Sequence, residues 1–125
     1  MYFVEIDRSK RLLVISAAGH VSTEEVKAAA QKVRDIVKEA EPGIRALTDL
    51  RWLISMEPSA SRYIADIMDA LSQNRLASVT RVVPDPHKDI GFNILSQFHY
   101  DPDTPIYTFE TLADAVESLR QDGIG

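Results

Sequence analysis

The sequence predicts an α/β fold: a β-hairpin followed by βα repeats, giving a mainly parallel sheet flanked by about four helices. Three observations carry this expectation. Apolar and polar residues alternate at period two near the start; helical-period stripes then alternate with short β-rich runs; and the connections are short, with no internal repeat, low-complexity tract or linker. At 125 residues the chain fits one domain, residues 1–125. A chain of that size buries roughly two-thirds of its unfolded surface.

Tyr2, Val4 and Ile6 alternate with Phe3, Glu5 and Asp7, so the first strand carries charge on one face and belongs at a sheet edge. Arg8-Ser9-Lys10 forms a polar turn. Leu12 to Ala18 is apolar at almost every position, as in a strand covered on both faces. Gly19-His20-Val21 then turns the chain into Ser22-Thr23-Glu24-Glu25, which has the spacing of a capping box, with Val21 and Val26 placed as a hydrophobic staple. Val26, Ala29, Ala30, Val33, Ile36, Val37 and Ala40 recur at helical spacing, and Pro42-Gly43 stops that helix at or before Glu41.

Ile44 to Leu50 reads as the central strand. Arg51-Trp52-Leu53-Ile54 follows as a loop more apolar than solvent requires, and Glu57-Pro58-Ser59-Ala60-Ser61 leads into a second helix. Ala60, Ile64, Ile67, Met68 and Leu71 mark its inner face; Arg62, Asp66, Asp69 and Gln73 mark the outer one, with Pro58 tolerated only near the first turn. Ser78 to Val83 is a further β-rich run ended by Pro84-Asp85-Pro86. A third helix starts at about Asp89, with Ile90, Ile94, Leu95 and Phe98 as its buried stripe and Phe92 off it. Asp101 to Pro105 is a rigid polar loop and Ile106 to Phe109 a last strand. Thr111 caps a final helix, whose Leu112, Ala115, Val116 and Leu119 face inward until Asp122-Gly123.

Composition narrows the function classes. Zero cysteines exclude disulfides, thiolate metal sites and cysteine nucleophiles, which suits a reducing compartment. Met1 leads straight into a strand pattern, and no run approaches transmembrane length, so a cytoplasmic protein without a membrane span is expected. A net charge of -5 weighs against nucleic acid as a partner. No Gly-x-Ser-x-Gly, Gly-x-Gly-x-x-Gly or P-loop is present. His20, His87 and His99 lie far apart without a helical His pair, although Asp85 to Asp89 and His99 to Asp103 bring imidazoles near carboxylates. No catalytic residue, metal or cofactor is assigned, and the chain reads as a non-enzyme.

The order β-β-α-β-α-β-α-β-α, with a strand ending in Asp49-Leu50-Arg51 and then Met56-Glu57-Pro58-Ser59-Ala60, resembles the STAS family, named for sulphate transporters and anti-sigma-factor antagonists. That family typically shows Asp-Leu-Ser, then Asp-Ser-Ser-Gly at the start of the second helix, whose first serine a partner kinase phosphorylates. Asp49, Leu50 and Met56 match, Glu57 is conservative for the aspartate, and Pro58 stands where the phosphorylated serine would be, with Ser59 and Ser61 beside it. Phe109 to Ala115 is similar to the closing segment of a stand-alone branch of STAS-like proteins. The resemblance implies a regulatory module that docks a protein partner.

The candidate partner- or anion-binding residues are Asp49, Arg51, Trp52, Glu57, Ser59, Ser61 and Arg62, set at the loop after the third strand, where open α/β sheets meet ligands. A phosphate on Ser59 or Ser61 would add charge at a helix start; the plainer role for either serine is an N-cap. Trp52 either plugs the end of the core or lines a pocket, and a Trp beside an Arg also suits an interface anchor. The module would dock a protein partner or a second copy as a homodimer. Phe92, Leu95 and Phe98 form the alternative, an apolar patch for a lipid-like small molecule, and an enzyme of unrecognised type ranks third.

Overall fold

A computed structural model of the chain describes residues 1–85 and 90–121. The strands are β1 (Tyr2–Asp7), β2 (Leu12–Val21), β3 (Arg45–Met56), β4 (Ser78–Val82) and β5 (Ile106–Phe109). The helices are α1 (Thr23–Glu39), α2 (Ser61–Gln73), α3 (Ile90–His99) and α4 (Leu112–Gln121), with a 3-10 turn at Pro58–Ala60 before α2. One five-stranded sheet runs in the order β1-β2-β3-β4-β5. Its first pair is antiparallel and the other three are parallel, as the alternation of strands and helices requires.

The two faces of the sheet are covered unequally. Val4, Leu13, Ile15, Ala46, Leu50 and Val79 point to one face and form the main core with Val26, Ala30 and Val33 of α1 and Ile64, Ile67, Met68 and Leu71 of α2. Each of the larger of these side chains contributes about 1.5–3 kcal/mol by leaving water. The opposite face has a smaller core, where Leu47 and Val82 meet Ala115 and Leu119 of α4, with Leu12, Val14, Phe109 and Leu112 at its margin.

Local signals hold where they were strongest. Ser22 Oγ accepts the Glu25 N–H and Glu25 Oε1 accepts the Ser22 N–H, both at 3.2 Å, so the capping box is complete. Thr111 Oγ1 accepts the Asp114 N–H at 3.2 Å at the start of α4.

Four expectations are corrected, the first being Val116 of α4, expected to face inward but 41 % exposed. Gly19 to Val21 continue β2 instead of turning, with Gly19 in a left-handed conformation (φ +68°) where the pairing register with β3 shifts. Arg51 to Ile54 are not a loop but the second half of β3, held by β2 through Ala18 opposite Trp52 and Gly19 opposite Leu53. In α3, Phe92 and Leu95 pack on the main core, whereas Ile94 is exposed and Phe98 is 79 % exposed. The cause is Arg81, which is 2 % exposed and donates to Asn93 Oδ1 and Ser96 Oγ; this turns Ser96 inward and rotates the Ile94–Phe98 stripe to solvent. The start of the third helix at Asp89, its neighbour His87 and the Asp122-Gly123 stop lie outside the described residues.

Candidate functional site

At the carboxyl ends of β2 and β3 a polar mouth forms around the 3-10 turn. Pro58 sits at its first position, where a missing N–H costs nothing. Glu57 ties two elements together: its N–H donates to Val21 O at 3.1 Å, and its carboxylate accepts the Thr23 N–H at 2.9 Å from the start of α1. Beside it, Ser59 Oγ and Thr23 Oγ1 share a 2.5 Å hydrogen bond, and His20 Nδ1 and Ser55 Oγ share another at 2.5 Å.

Neither candidate serine caps α2. Ser61 Oγ donates to Pro58 O at 2.7 Å, Ser59 Oγ is held by Thr23, and the N-cap position is Ala60, without a side-chain bond. The capping role expected of one of them is therefore corrected, because the 3-10 turn supplies the entry to α2 through backbone bonds such as Ala60 N–H to Glu57 O at 2.9 Å. Arg62 folds back on its neighbour, its guanidinium 4.6 Å from the Tyr63 ring centroid.

The sequence-derived set does not gather into one site. Glu57, Ser59, Ser61 and Arg62 lie together at the mouth. Asp49, Arg51 and Trp52 belong to the other side of the sheet: Ala17 is in the main core, so its neighbour Ala18 points away from it, and Trp52 is paired with Ala18. Trp52 is 66 % exposed and plugs nothing; Ile54 and Phe3 are exposed as well.

Asp49 accepts the Arg51 backbone N–H at 3.1 Å and the guanidinium fork at 3.0 and 2.9 Å, and that guanidinium lies 5.4 Å from the Trp52 ring centroid. Burial pushes the Asp49 carboxyl up, but the Arg51 bonds outweigh it and hold it below the ordinary carboxylate range. A depressed carboxyl stabilises the fold above its unfolded value and loses that contribution as pH falls through the folded one. Trp52 is the sole tryptophan. Its emission should therefore change on the acid side of the ordinary carboxylate range, and Asp49→Asn should remove the step; an unchanged emission profile in that variant would show that Asp49 does not govern Arg51.

Between the mouth and α3 runs an apolar groove of about 340 Å³, lined by Met56, Pro58, Ile64, Phe92, Ile94 and Leu95, with Glu57 and Ser61 at its rim. Phe92 and Leu95 of the expected ligand patch thus line one cavity. Phe98 does not, because it lies on the solvent stripe of α3. Among the described residues no three histidine or carboxylate side chains converge to hold a metal ion, and no helix is long and apolar enough to cross a membrane. Arg81, Arg45 and Ser78 were not singled out by sequence reasoning; a charged or polar residue inside a β-rich run was their only signal.

Neither a protein-family model nor a curated protein matches the sequence. Solved structures do match in three dimensions. An uncharacterized protein of the DUF3478 family from Shewanella loihica, described as having a SpoIIAA-like fold, superposes with a TM-score of 0.70 at 16 % identity, over 95 % of this chain and 92 % of that one. The anti-sigma factor antagonist SpoIIAA in its unphosphorylated form gives 0.67 at 14 % identity, over 99 % of this chain and all of that one. The chain has the SpoIIAA-like, or STAS-like, fold. The Bacillus cell fate determinant SpoIIAA in its phosphorylated form is also similar, with a TM-score of 0.63 at 16 % identity over 96 % of this chain and 100 % of that one. In this SpoIIAA-like fold the mouth sits where the carboxyl ends of parallel strands meet a helix start, the usual ligand position of an open α/β sheet.

Proposed function

We propose that the protein is a non-enzymatic, cytoplasmic regulatory module that docks a protein partner, or a second copy of itself, through the mouth after β3 and the adjoining start of α2. The observation that carries this reading is the open apolar groove beside that mouth, where Met56, Pro58, Ile64, Phe92 and Leu95 offer an anchor site rimmed by Glu57 and Ser61. The fold is shared with proteins described as anti-sigma factor antagonists, which fits a role in binding rather than chemistry. Pro58, at the place the resemblance gives to a phosphorylated serine, leaves Ser59 and Ser61 as the nearest hydroxyls for such control.

Ile94 lines the groove and is exposed, so changing it spares the core. Ile94→Glu is expected to weaken capture of the partner from extracts of the native cell by about tenfold or more, the scale of losing an interface anchor, with an unchanged circular dichroism spectrum. Equal capture by the variant would overturn the assignment of this surface. The alternative occupant, a small apolar or lipid-like molecule, has space in the same groove, whose volume is that of a small-ligand pocket. Native mass spectrometry separates the two, because a carried ligand adds mass to the isolated chain.

A further inference from the structure

A second site lies at the other end of the sheet, roughly 35 Å away along β3 at about 3.3 Å per residue. There the starts of β3 and β4 and the β1–β2 turn enclose a cavity of about 500 Å³, lined in part by Ser9, Lys10, Arg11, Arg45, Ser78 and Tyr107. A neighbouring cavity of about 420 Å³ shares Lys10 and Arg45 and continues under α4, against Leu12, Leu47, Val116 and Leu119, with Arg120 at its edge. Among the described residues every charged side chain lining either cavity is a cation, in a chain whose net charge is -5.

Two of these cations are already compensated. Arg11 pairs with Glu41, and Arg120 lies 3.8 Å from Glu117. Lys10 and Arg45 form no close ion pair among the described residues, although the Lys10 charge helps to lower the Asp7 carboxyl beside it. Arg45 is the unusual one: it is only 9 % exposed, and its one bond runs from Nη1 to Leu119 O at 2.9 Å, closing the carboxyl end of α4. The rest of its fork has no partner among the described residues. Beside it in register stands Ser78, 6 % exposed, whose buried Oγ has no hydrogen-bond partner among the described residues. Paired residues of adjacent strands point to the same face, so the buried guanidinium and the unmet hydroxyl both lie on the α4 side. A buried hydroxyl left unmet is rare in native proteins and calls for a reason.

We infer that this pair of cavities is a binding site for a small organic oxyanion, with a phosphate or carboxylate head held by Arg45, Ser78 Oγ and Lys10. An apolar arm lies along Leu12, Leu47, Val116 and Leu119. A guanidinium fork matches either head bidentately, and a hydroxyl adds a single donor. The apolar strip under α4 distinguishes this site from one suited to an inorganic ion. It is independent of the docking mouth, since the two share no residue.

The test is a titration of the isotope-labelled protein at low ionic strength with phenyl phosphate, hexanoate and inorganic phosphate, read by amide chemical shifts. Saturable shifts are expected at Lys10, Arg11, Arg45, Ser78 and Tyr107 and not at residues 55–62, with phenyl phosphate or hexanoate binding more tightly than inorganic phosphate. Which of the two organic probes binds better identifies the head group. Lys10→Gln, at an exposed turn, should weaken binding several-fold, and Arg45→Gln by about tenfold or more. Ser78→Ala is the discriminating variant: it should weaken binding while leaving Tm unchanged or higher, because it removes a hydroxyl that satisfies nothing in the free protein. Absence of saturable shifts at 20 mM phenyl phosphate, or Ser78→Ala lowering Tm with affinity intact, would overturn the site. Loss of the docking function through Ile94→Glu has no bearing on it.

Discussion

Arg81→Ala is expected to lower the unfolding free energy by about 3–5 kcal/mol, the range for truncating a large buried side chain or breaking a buried polar network. Arg81 stands in the middle of β4, almost wholly buried, and reaches from the sheet to α3, donating to Asn93 Oδ1 at 3.0 Å and to Ser96 Oγ. Its removal leaves a void beside Met68, Phe92 and Tyr100, which line the same internal space. It also strips α3 of its main polar anchor to the strands. Ser96 Oγ keeps its bond to Phe92 O at 2.7 Å, so the helix itself survives; its attachment is what weakens.

Hydrogen exchange should therefore quicken in Phe92 to His99 beyond the change in α1, while the urea midpoint falls. Arg81→Met restores bulk without donors and should recover the packing part only. The Tyr100 phenol, pushed up to about 12 chiefly by burial and drawn down by the Arg81 guanidinium, stays neutral at physiological pH in either variant. An Arg81→Ala protein as stable as the parent would mean that the buried guanidinium contributes no net attachment of α3.

How far the fold could be read from the chain depends on whether each signal was local. The Ser22 to Glu25 box, the α1 stripe from Val26 to Val33 and the Pro42-Gly43 stop lie within a few residues of what they control, and all three function as expected. The extent of β3 was not local. Residues Arg51 to Met56 are strand because β2 lies alongside and accommodates two register shifts, one of them at the left-handed Gly19. No periodicity survives such irregular pairing, so the segment reads as an apolar loop. The α3 error has the same origin: Ile94, Leu95 and Phe98 look like one stripe until a cation on a different element fixes which side of the helix faces the sheet.

The mouth after β3 was legible in position but not in detail. Placing it at the start of α2 needed only the strand–turn–helix order and Pro58. Whether Ser59 would cap the helix or bond elsewhere depended on Thr23, brought in by the β2–α1 connection from the far side of the mouth. Trp52 stands out in the sequence as the sole tryptophan, yet its side of the sheet follows from a bulge that the sequence does not mark. The basic cavity was invisible because its parts come from the starts of separate strands. Arg45 and Ser78 meet only through the β3–β4 register, and each alone resembles an ordinary strand-end residue.

Asn74→Ala is expected to destabilise the protein by about 2–4 kcal/mol, because one buried amide side chain closes the connection from α1 to β3 and its loss strands a backbone N–H. Asn74 follows α2 and is buried; its Oδ1 accepts the N–H groups of Gly43 and Ile44, each at 3.1 Å, and its Nδ2 donates to Glu41 O at 3.1 Å. After truncation Gly43 retains a bond to Asn74 O at 3.0 Å, whereas the Ile44 N–H is left with no acceptor inside the core. Asn74→Asp keeps the acceptor and removes the donor, setting a carboxylate oxygen against the Glu41 carbonyl. The introduced carboxyl can replace the lost donor only when protonated, so its folded pKa is raised and its stabilising form is present at low pH and lost as pH rises. Asn74→Asp should accordingly lie closer to the parent at about pH 5 than at about pH 8, on the usual carboxylate scale. Denaturant midpoints at the two pH values check this. A pH-independent deficit would mean that Glu41 O finds its donor elsewhere and that the two N–H bonds alone account for the role of Asn74.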